Sequence, residues 1–364
     1  MTKQRWRSSA ADCTRISMSW PETGVRERGV APRDRILFAV LAALLPLAIL
    51  LRRDAPEAPG YVVPLPAASA EIPDIEALHA DLEDLARLRP GLCRLVTIGH
   101  SVEGRPLEVL VLARAGGRPH RRAWIQGGIH AREWMSPHVV SRLAHDLLEK
   151  DEGLLDRLEI HLLCLLNPDG FALSKGRAKR AFWRKNRARG PRPGGVQGVI
   201  GVDLNRNFDC EWEQLGSENP RRETYRGPGP ASEPEVRAIQ AYLGRIRFDF
   251  ALDVHTGAPY QVHAPAAVKR DARSRARHRR TAAIMLAVLN KSRAPAIFDG
   301  GSAGRFLRTA SAGGQAVNYF FEKAAIPTAF TVEMGSFFLD PGDAQREALV
   351  QAWMKAFRAA LASF

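Results

Sequence analysis

The sequence predicts a single three-layer α/β/α domain on a mixed, mostly parallel twisted sheet, preceded by an N-terminal membrane-anchor segment. Three observations predict it. From about Glu71 onward, short apolar runs alternate with helix-like segments, the pattern of a sheet covered by helices on both faces. A run of sixteen apolar residues, 36–51, stands ahead of that region. Between the two, residues 52–70, "RRDAPEAPGYVVPLPAASA", are rich in Pro and Ala and read as an extended linker.

Residues 1–35 read as a basic, unstructured cytoplasmic tail; eight Lys/Arg lie between Lys3 and Arg35. The apolar run "ILFAVLAALLPLAILL" is shorter than a bilayer span of about 20 residues and contains Pro46. A cleaved signal peptide is its closest rival, but a cleavage site should follow the run directly. "RRDAPEAPG" follows instead, and the small residues of "PAASA" at 66–70 come late. The run therefore reads as a signal anchor. The positive flank puts the N-terminus in the cytoplasm and the domain in the periplasm or outside the cell; cleavage would make it secreted.

Residues 71–364 read as the folded domain. "EIPDIEALHADLEDLARLRPG" has apolar residues at helical spacing and stops at Arg89-Pro90-Gly91. Strands are expected in "RLVTIG", "LEVLVLA", "AWIQGG", "LEIHLLCLLN", "FDFALDVH" and "TAFTVEMG". Helices are expected over 134–150, 234–246, 280–289 and 346–361. The second of these opens with Ser232-Glu233-Pro234-Glu235, an N-cap serine with Glu three residues on and Pro in the first turn. No internal repeat is visible, and the length suffices for one large core.

At 45% hydrophobic and 25% charged residues the chain is globular rather than disordered. The formal net charge of +14 suits anionic partners. Its arginines are nevertheless scattered, so no specific nucleic-acid partner is expected. The dense run "KRDARSRARHRR", 269–280, reads as the solvated start of a helix. The four cysteines, Cys13, Cys93, Cys164 and Cys210, show no CxxC spacing or disulfide framework. Cys164 reads as a small core residue.

In sheets of this class the ligand site lies beyond the carboxyl ends of strands. His130 and Glu133 follow "AWIQGGI", Asn167-Pro168-Asp169-Gly170 follows "LEIHLLCLL", His255 follows "FDFALDV", and Glu333 ends "TAFTV". A turn that starts a helix puts positions i and i+3 on one face, so His130 and Glu133 can reach one ion. A lone His-x-x-Glu is more often an incidental surface pair. Two His and a Glu with an open fourth position form a catalytic zinc set, and His255 is the best candidate for the third ligand.

Over residue 71 to the end, the chain resembles the zinc metallocarboxypeptidases of the carboxypeptidase A type. "GIHAREW", "NPDGF", "FWRKNR", "GVDLNRNFD", "SEPE", "LDVHTG" and "FTVEMG" occur in that family's order at similar spacing. The resemblance implies one Zn2+ per domain on His130, Glu133 and His255, with Glu333 as general base. It implies that Arg184 polarises the scissile carbonyl and that Asn205 and Arg206 grip a free C-terminal carboxylate. Arg132 matches a secondary carboxylate-binding arginine, and Asp203 orients a ligand. The implied activity is hydrolysis of the C-terminal peptide bond of peptides by a monomeric enzyme. Two alternatives stand beside it. One is a cell-wall stem-peptide hydrolase of the same family. The other is a non-catalytic binding module, which should have lost at least one of His130, Glu133, His255 or Glu333.

The chain departs from the family in several places. Thr309 aligns with the mobile tyrosine that caps bound substrate, and Tyr260 and Tyr319 are the candidate replacements. Ala316 aligns with the floor of the specificity pocket, so a neutral or apolar terminal side chain is expected rather than Lys or Arg. The family's disulfide positions fall near Val199 and Arg221, which excludes that bridge. The anchor and linker stand where relatives carry an inhibitory pro-domain.

Overall fold

In a computed structural model, which describes residues 64–191, 197–292, 307–311 and 313–364, the apolar runs become ten strands. They are β1 (Cys93–His100), β2 (Pro106–Leu112), β3 (Arg121–Gln126), β4 (Leu158–Leu163), β5 (Arg189–Pro191), β6 (Gln197–Val199), β7 (Phe250–His255), β8 (Ala258–Ala264), β9 (Leu307–Thr309) and β10 (Thr328–Gly335). Seven α-helices accompany them among the described residues: α1 (Ile75–Leu88), α2 (Met135–Lys150), α3 (Pro168–Gly176), α4 (Pro234–Leu243), α5 (Ala272–Lys291), α6 (Ala316–Glu322) and α7 (Asp343–Ala362). The predicted tail 1–35 and anchor 36–51 lie outside the described residues. No helix among the described residues is long and apolar enough to cross a membrane.

Eight strands form one sheet in the order β1-β2-β4-β3-β7-β10-β8-β9. The four central strands, β4, β3, β7 and β10, are parallel, and antiparallel pairings of β2 with β4 and β8 with β10 flank them. The sheet is mixed, as expected, with its parallel part at the centre. β7 is buried along its whole length, as a parallel strand covered on both faces must be. One core cluster joins α1, α2, α5 and α7 to Phe250, Leu252 and Val254 of β7. The other joins α4 and α6 to Ala251 and Ala329 on the opposite face. These are the three layers.

Local chemistry sets the helix ends. Asp74 caps α1 by accepting the Ala77 N–H at 2.8 Å, and Leu78, Leu82 and Leu85 form its buried stripe. α4 is capped at Glu233 rather than the expected Ser232, whose hydroxyl donates to Glu233 Oε1 at 2.8 Å. It ends at Leu243, short of 246. α5 starts eight residues earlier than expected because Asp271 accepts the N–H groups of Arg273 and Ser274. Its basic first turns are exposed while Ser274 and His278 point inward, so the run is a solvated helix face. Residues 64–70, read as linker, lie against the domain: Leu65 packs on the larger core cluster and Arg346 Nε donates to Ala70 O at 2.8 Å. Cys93, Cys164 and Cys210 are buried and unbridged.

Candidate active site

β3 lies between β4 and β7, so the chain leaves it for one side of the sheet and later returns to the other. That arrangement opens a crevice beyond its carboxyl end. Gly127 and Gly128 turn the chain there. Gly128 has φ +66, and a Cβ on it would sit 2.6 Å from Leu165 Cδ1, so both conformation and space require glycine. Ser136 Oγ accepts the Gly128 N–H at 2.8 Å and ties the turn to α2. The next turn closes when Glu133 N–H donates to His130 O at 3.1 Å. His130 Nδ1 then lies 2.6 Å from Glu133 Oε1.

Strand periodicity supplies the other side. Ala251, Asp253 and His255 share one face of β7, and Ala329, Thr331 and Glu333 share the same face of β10. The alanines belong to the core; the polar residues emerge beyond it. The parallel register pairs Glu333 with His255 and Thr331 with Asp253. His255 Nδ1 comes within 3.0 Å of Glu133 Oε2 and 3.2 Å of His130 Nδ1.

His130, Glu133 and His255 each offer one ligand atom, and these atoms lie within 4.8 Å of one another. Tetrahedral zinc with Zn–N bonds of about 2.0–2.1 Å separates its ligand atoms by about 3.3 Å, close to the spacing of the two Nδ1 atoms. His255 Nε2 is hydrogen-bonded to Asp253 Oδ2 at 2.8 Å, and His130 Nε2 lies 3.3 Å from Asp203 Oδ1 without hydrogen-bond geometry. Such partners fix the tautomer and ring orientation of metal-binding histidines. Behind Asp253, Gln126 Nε2 donates to Oδ1 at 2.9 Å, and Trp124 Nε1 donates to Gln126 Oε1 at 3.0 Å.

The electrostatics favour a cation. Burial disfavours charge on His255, yet Asp253 and Glu133 raise its pKa well above the ordinary value. Burial likewise opposes ionisation of Glu133, but the two imidazoles hold its carboxyl well below the usual range. A buried site that keeps Glu133 ionised and favours positive charge beside it suits a divalent ion, and the donor set fits one zinc. Beside it, Glu333 Oε2 is buried with no hydrogen-bond partner. Burial pushes the Glu333 carboxyl up to about 8, with His255 opposing and Glu133 adding to the rise.

Asp203 organises the opposite wall. Its Oδ1 accepts the Asn205 N–H at 3.0 Å and its Oδ2 accepts from Arg184 Nε at 3.0 Å. Burial opposes the charge on Arg184, but Asp203 and Glu133 outweigh it and raise the pKa. Arg184 Nη1 stands 3.9 Å from Glu133 Oε1, beside the ligand cluster. Asn205 Oδ1 accepts the Ala316 N–H at 2.9 Å, and Arg206 donates to Asn205 O at 2.7 Å. Burial lowers the Arg206 pKa against the pull of Asp203, so the guanidinium is desolvated and short of anionic contacts. Arg132 sits at the rim, 3.0 Å from Glu223 Oε1 and 4.3 Å from the Phe338 ring centroid.

His130, Arg132, Glu133, Arg184, Asn205, Arg206, His255 and Glu333 line a single cavity of about 410 Å³. Ala316 does not. It opens α6 in the core, and Gln315 takes the wall position instead, so the position read as pocket floor lies behind the wall. Thr309 closes the edge strand β9, whose backbone pairs with β8. Tyr260 stacks on Trp353 at 5.5 Å in the core, and Tyr319 packs on Phe208 at 5.6 Å; neither lines the cavity, where Phe338 is the aromatic residue. A neighbouring cavity of about 620 Å³ shares Arg184 but, among the described residues, is lined by no ligand cluster. Sequence reasoning missed Asp253, Gln126, His263 and Thr331. Asp253 had a signal: Asp-x-His on a strand places both side chains on one face.

An open sheet covered on both faces, with a His-Glu-His cluster and the unpartnered Oε2 of Glu333 at its strand ends, defines a candidate metal centre. The chain belongs to the zinc carboxypeptidase family, whose model matches residues 78–355. It is 36% identical to Carboxypeptidase A2 of Mus musculus over 177 residues, covering 46% of this chain and 40% of that protein. It is 33% identical to Carboxypeptidase B of Astacus astacus over 171 residues, covering 46% and 54%. The chain thus spans about half the length of the curated relatives it matches. Among solved structures it resembles bovine thrombin-activatable fibrinolysis inhibitor in complex with tick carboxypeptidase inhibitor, with a TM-score of 0.68 at 23% identity over 81% of this chain and 97% of that one. It also resembles carboxypeptidase A from Helicoverpa armigera, with a TM-score of 0.64 at 23% identity over 90% and 81%. At that identity the likeness is one of fold.

Proposed function

We propose that the protein is a zinc-dependent carboxypeptidase that removes the C-terminal residue from peptides with a free terminal carboxylate. The observation that carries this reading is the pairing of a converged His130-Glu133-His255 cluster with the unpartnered carboxylate of Glu333 on the adjacent strand. His130, Glu133 and His255 would hold a zinc ion, which when bound would supply a Lewis acid for the carbonyl and acidify water. Glu333 stands where it can take a proton from water and pass it to the leaving nitrogen. Arg184, locked by Asp203, donates to the carbonyl oxygen as negative charge grows on it. Arg206 and Asn205 hold the terminal carboxylate, the anion that the desolvated guanidinium lacks. Arg132 binds a carbonyl or carboxylate at the mouth of the cavity.

Release of the terminal amino acid from a free-acid peptide, abolished by a chelator and restored by zinc, tests the reading. Cleavage within the peptide, or turnover that survives zinc removal, contradicts it.

The segment 36–51 serves as the membrane anchor, and the catalytic domain works as a monomer in the periplasm or outside the cell. Support for the anchor is the apolar run with its basic flank and no nearby cleavage site. Recovery of the activity in a soluble fraction beginning near residues 55–71 would show cleavage instead.

A further inference from the structure

The cavity has a second wall that the chemical step does not use. It is built from β8, β10 and the turn before α6. His263 is the register partner of Thr331 across the antiparallel pair. Thr331 lies two residues before Glu333 and on the same face, so His263 and Thr331 stand side by side below the base. Gln261 Oε1 accepts from His263 Nε2 at 2.9 Å and steadies the ring. The Thr256 hydroxyl, on a residue only 2% exposed, and Gln315 Oε1 are buried with no hydrogen-bond partner. Gly257, Ala258, Ala310 and Ser311 also line this wall, with Phe338 packed against Gly257. The backbone register of β9 sets Arg308 next to His263 on the far side.

With the terminal carboxylate on Arg206 and the scissile carbonyl at the metal cluster, the terminal side chain must point into this part of the cavity. A basic side chain finds no counter-charge, because the only carboxylates lining the cavity among the described residues are Glu133 and Glu333. A large apolar side chain leaves the already buried Thr256 and Gln315 polar atoms without partners, whereas a polar one can pair them. An acidic side chain meets hydroxyl donors and, when the ring is protonated, the second nitrogen of His263, and the Gln315 amide presents its NH2 after a flip. The three arginines in the same cavity add a favourable potential.

We propose that this wall selects a C-terminal residue with an acidic side chain, Glu or Asp, and that His263 is the specificity-determining residue. The proposal rests on the carboxypeptidase reading. It replaces the neutral or apolar preference inferred from Ala316, which lies behind the wall.

The test compares kcat/KM of the zinc-loaded full chain on peptides identical except for a C-terminal Glu, Asp, Gln, Phe or Arg. Glu should exceed Gln by at least about tenfold, the low end for a hydrogen bond to a charged group, and should exceed Phe and Arg. In His263→Leu the Glu-to-Gln ratio should fall toward one while Gln is still released. Wild type preferring Phe or Arg, or a ratio unchanged in His263→Leu, overturns the proposal and leaves the carboxypeptidase reading standing. Failure to release any terminal residue overturns both. The wild-type series decides the proposal even if His263→Leu does not fold.

Discussion

Asp253 and His255, two residues apart on β7, meet at 2.8 Å between Oδ2 and Nε2. The contact turns Nδ1 of His255 toward His130 and Glu133 and fixes the tautomer that a metal needs. Its far end is anchored through Gln126 to the buried Trp124. Asp253→Ala should therefore weaken zinc binding by about 10- to 100-fold, the usual cost of losing such a partner. Competition against a chromogenic chelator reads this directly. An unchanged zinc affinity would mean that His255 is oriented by other contacts.

Glu333→Gln keeps size and hydrogen-bonding capacity but cannot accept a proton. It should lower kcat by at least about 100-fold, the low end for loss of a general base, while metal analysis still finds one zinc per chain. Loss of zinc along with activity would move Glu333 from the chemical step to the ligand set.

Stability should fall on acidification through His138. This residue is buried in α2 with neither ring nitrogen hydrogen-bonded. Burial, with Arg142 and Arg346 adding, lowers its pKa from 6.5 to about 3. The unfolded chain binds the proton below pH 6.5 and the folded chain does not until about 3. The contribution is therefore complete above 6.5 and is lost as pH falls through that window. Glu235 works in the opposite sense: burial pushes its carboxyl up to about 7, so its proton favours the fold at low pH. Comparison with His138→Gln isolates the histidine. Tm measured from pH 7 to pH 4 should drop more steeply in wild type than in the variant; parallel curves would contradict the assignment.

Much of the site was legible because simple periodicities place it. His130 and Glu133 are joined by a single turn, and His255 and Glu333 end strands whose apolar residues announce them. Asn205 and Arg206 were readable only through the family motif, since nothing in their spacing predicts that Asp203 orders both Arg184 and the turn that carries them. Ala316 lies away from the cavity because Gly313 and Gly314 bend the chain just before α6: a Cβ on Gly314 would sit 2.2 Å from Arg206 O. That close approach brings Gln315 to the wall and sends Ala316 into the core. α5 was read as starting late because its first turns are rich in arginine, and the apolar period begins only beyond them. His263 carried no local signal: its role comes from a cross-strand register with Thr331, 68 residues away along the chain.

The central claim is that this zinc site reads a free peptide terminus, and Arg206 is the residue that should do so. The most direct measurement is kcat/KM on one peptide as free acid and as C-terminal amide, for wild type and Arg206→Ala. Wild type should prefer the free acid, and Arg206→Ala should lose about 10- to 150-fold on it, the range for a hydrogen bond to a charged group. The loss should shrink on the amide, which offers the guanidinium no anion. Equal cleavage of acid and amide by wild type would contradict the account and point to an endopeptidase or amidase on the same metal cluster.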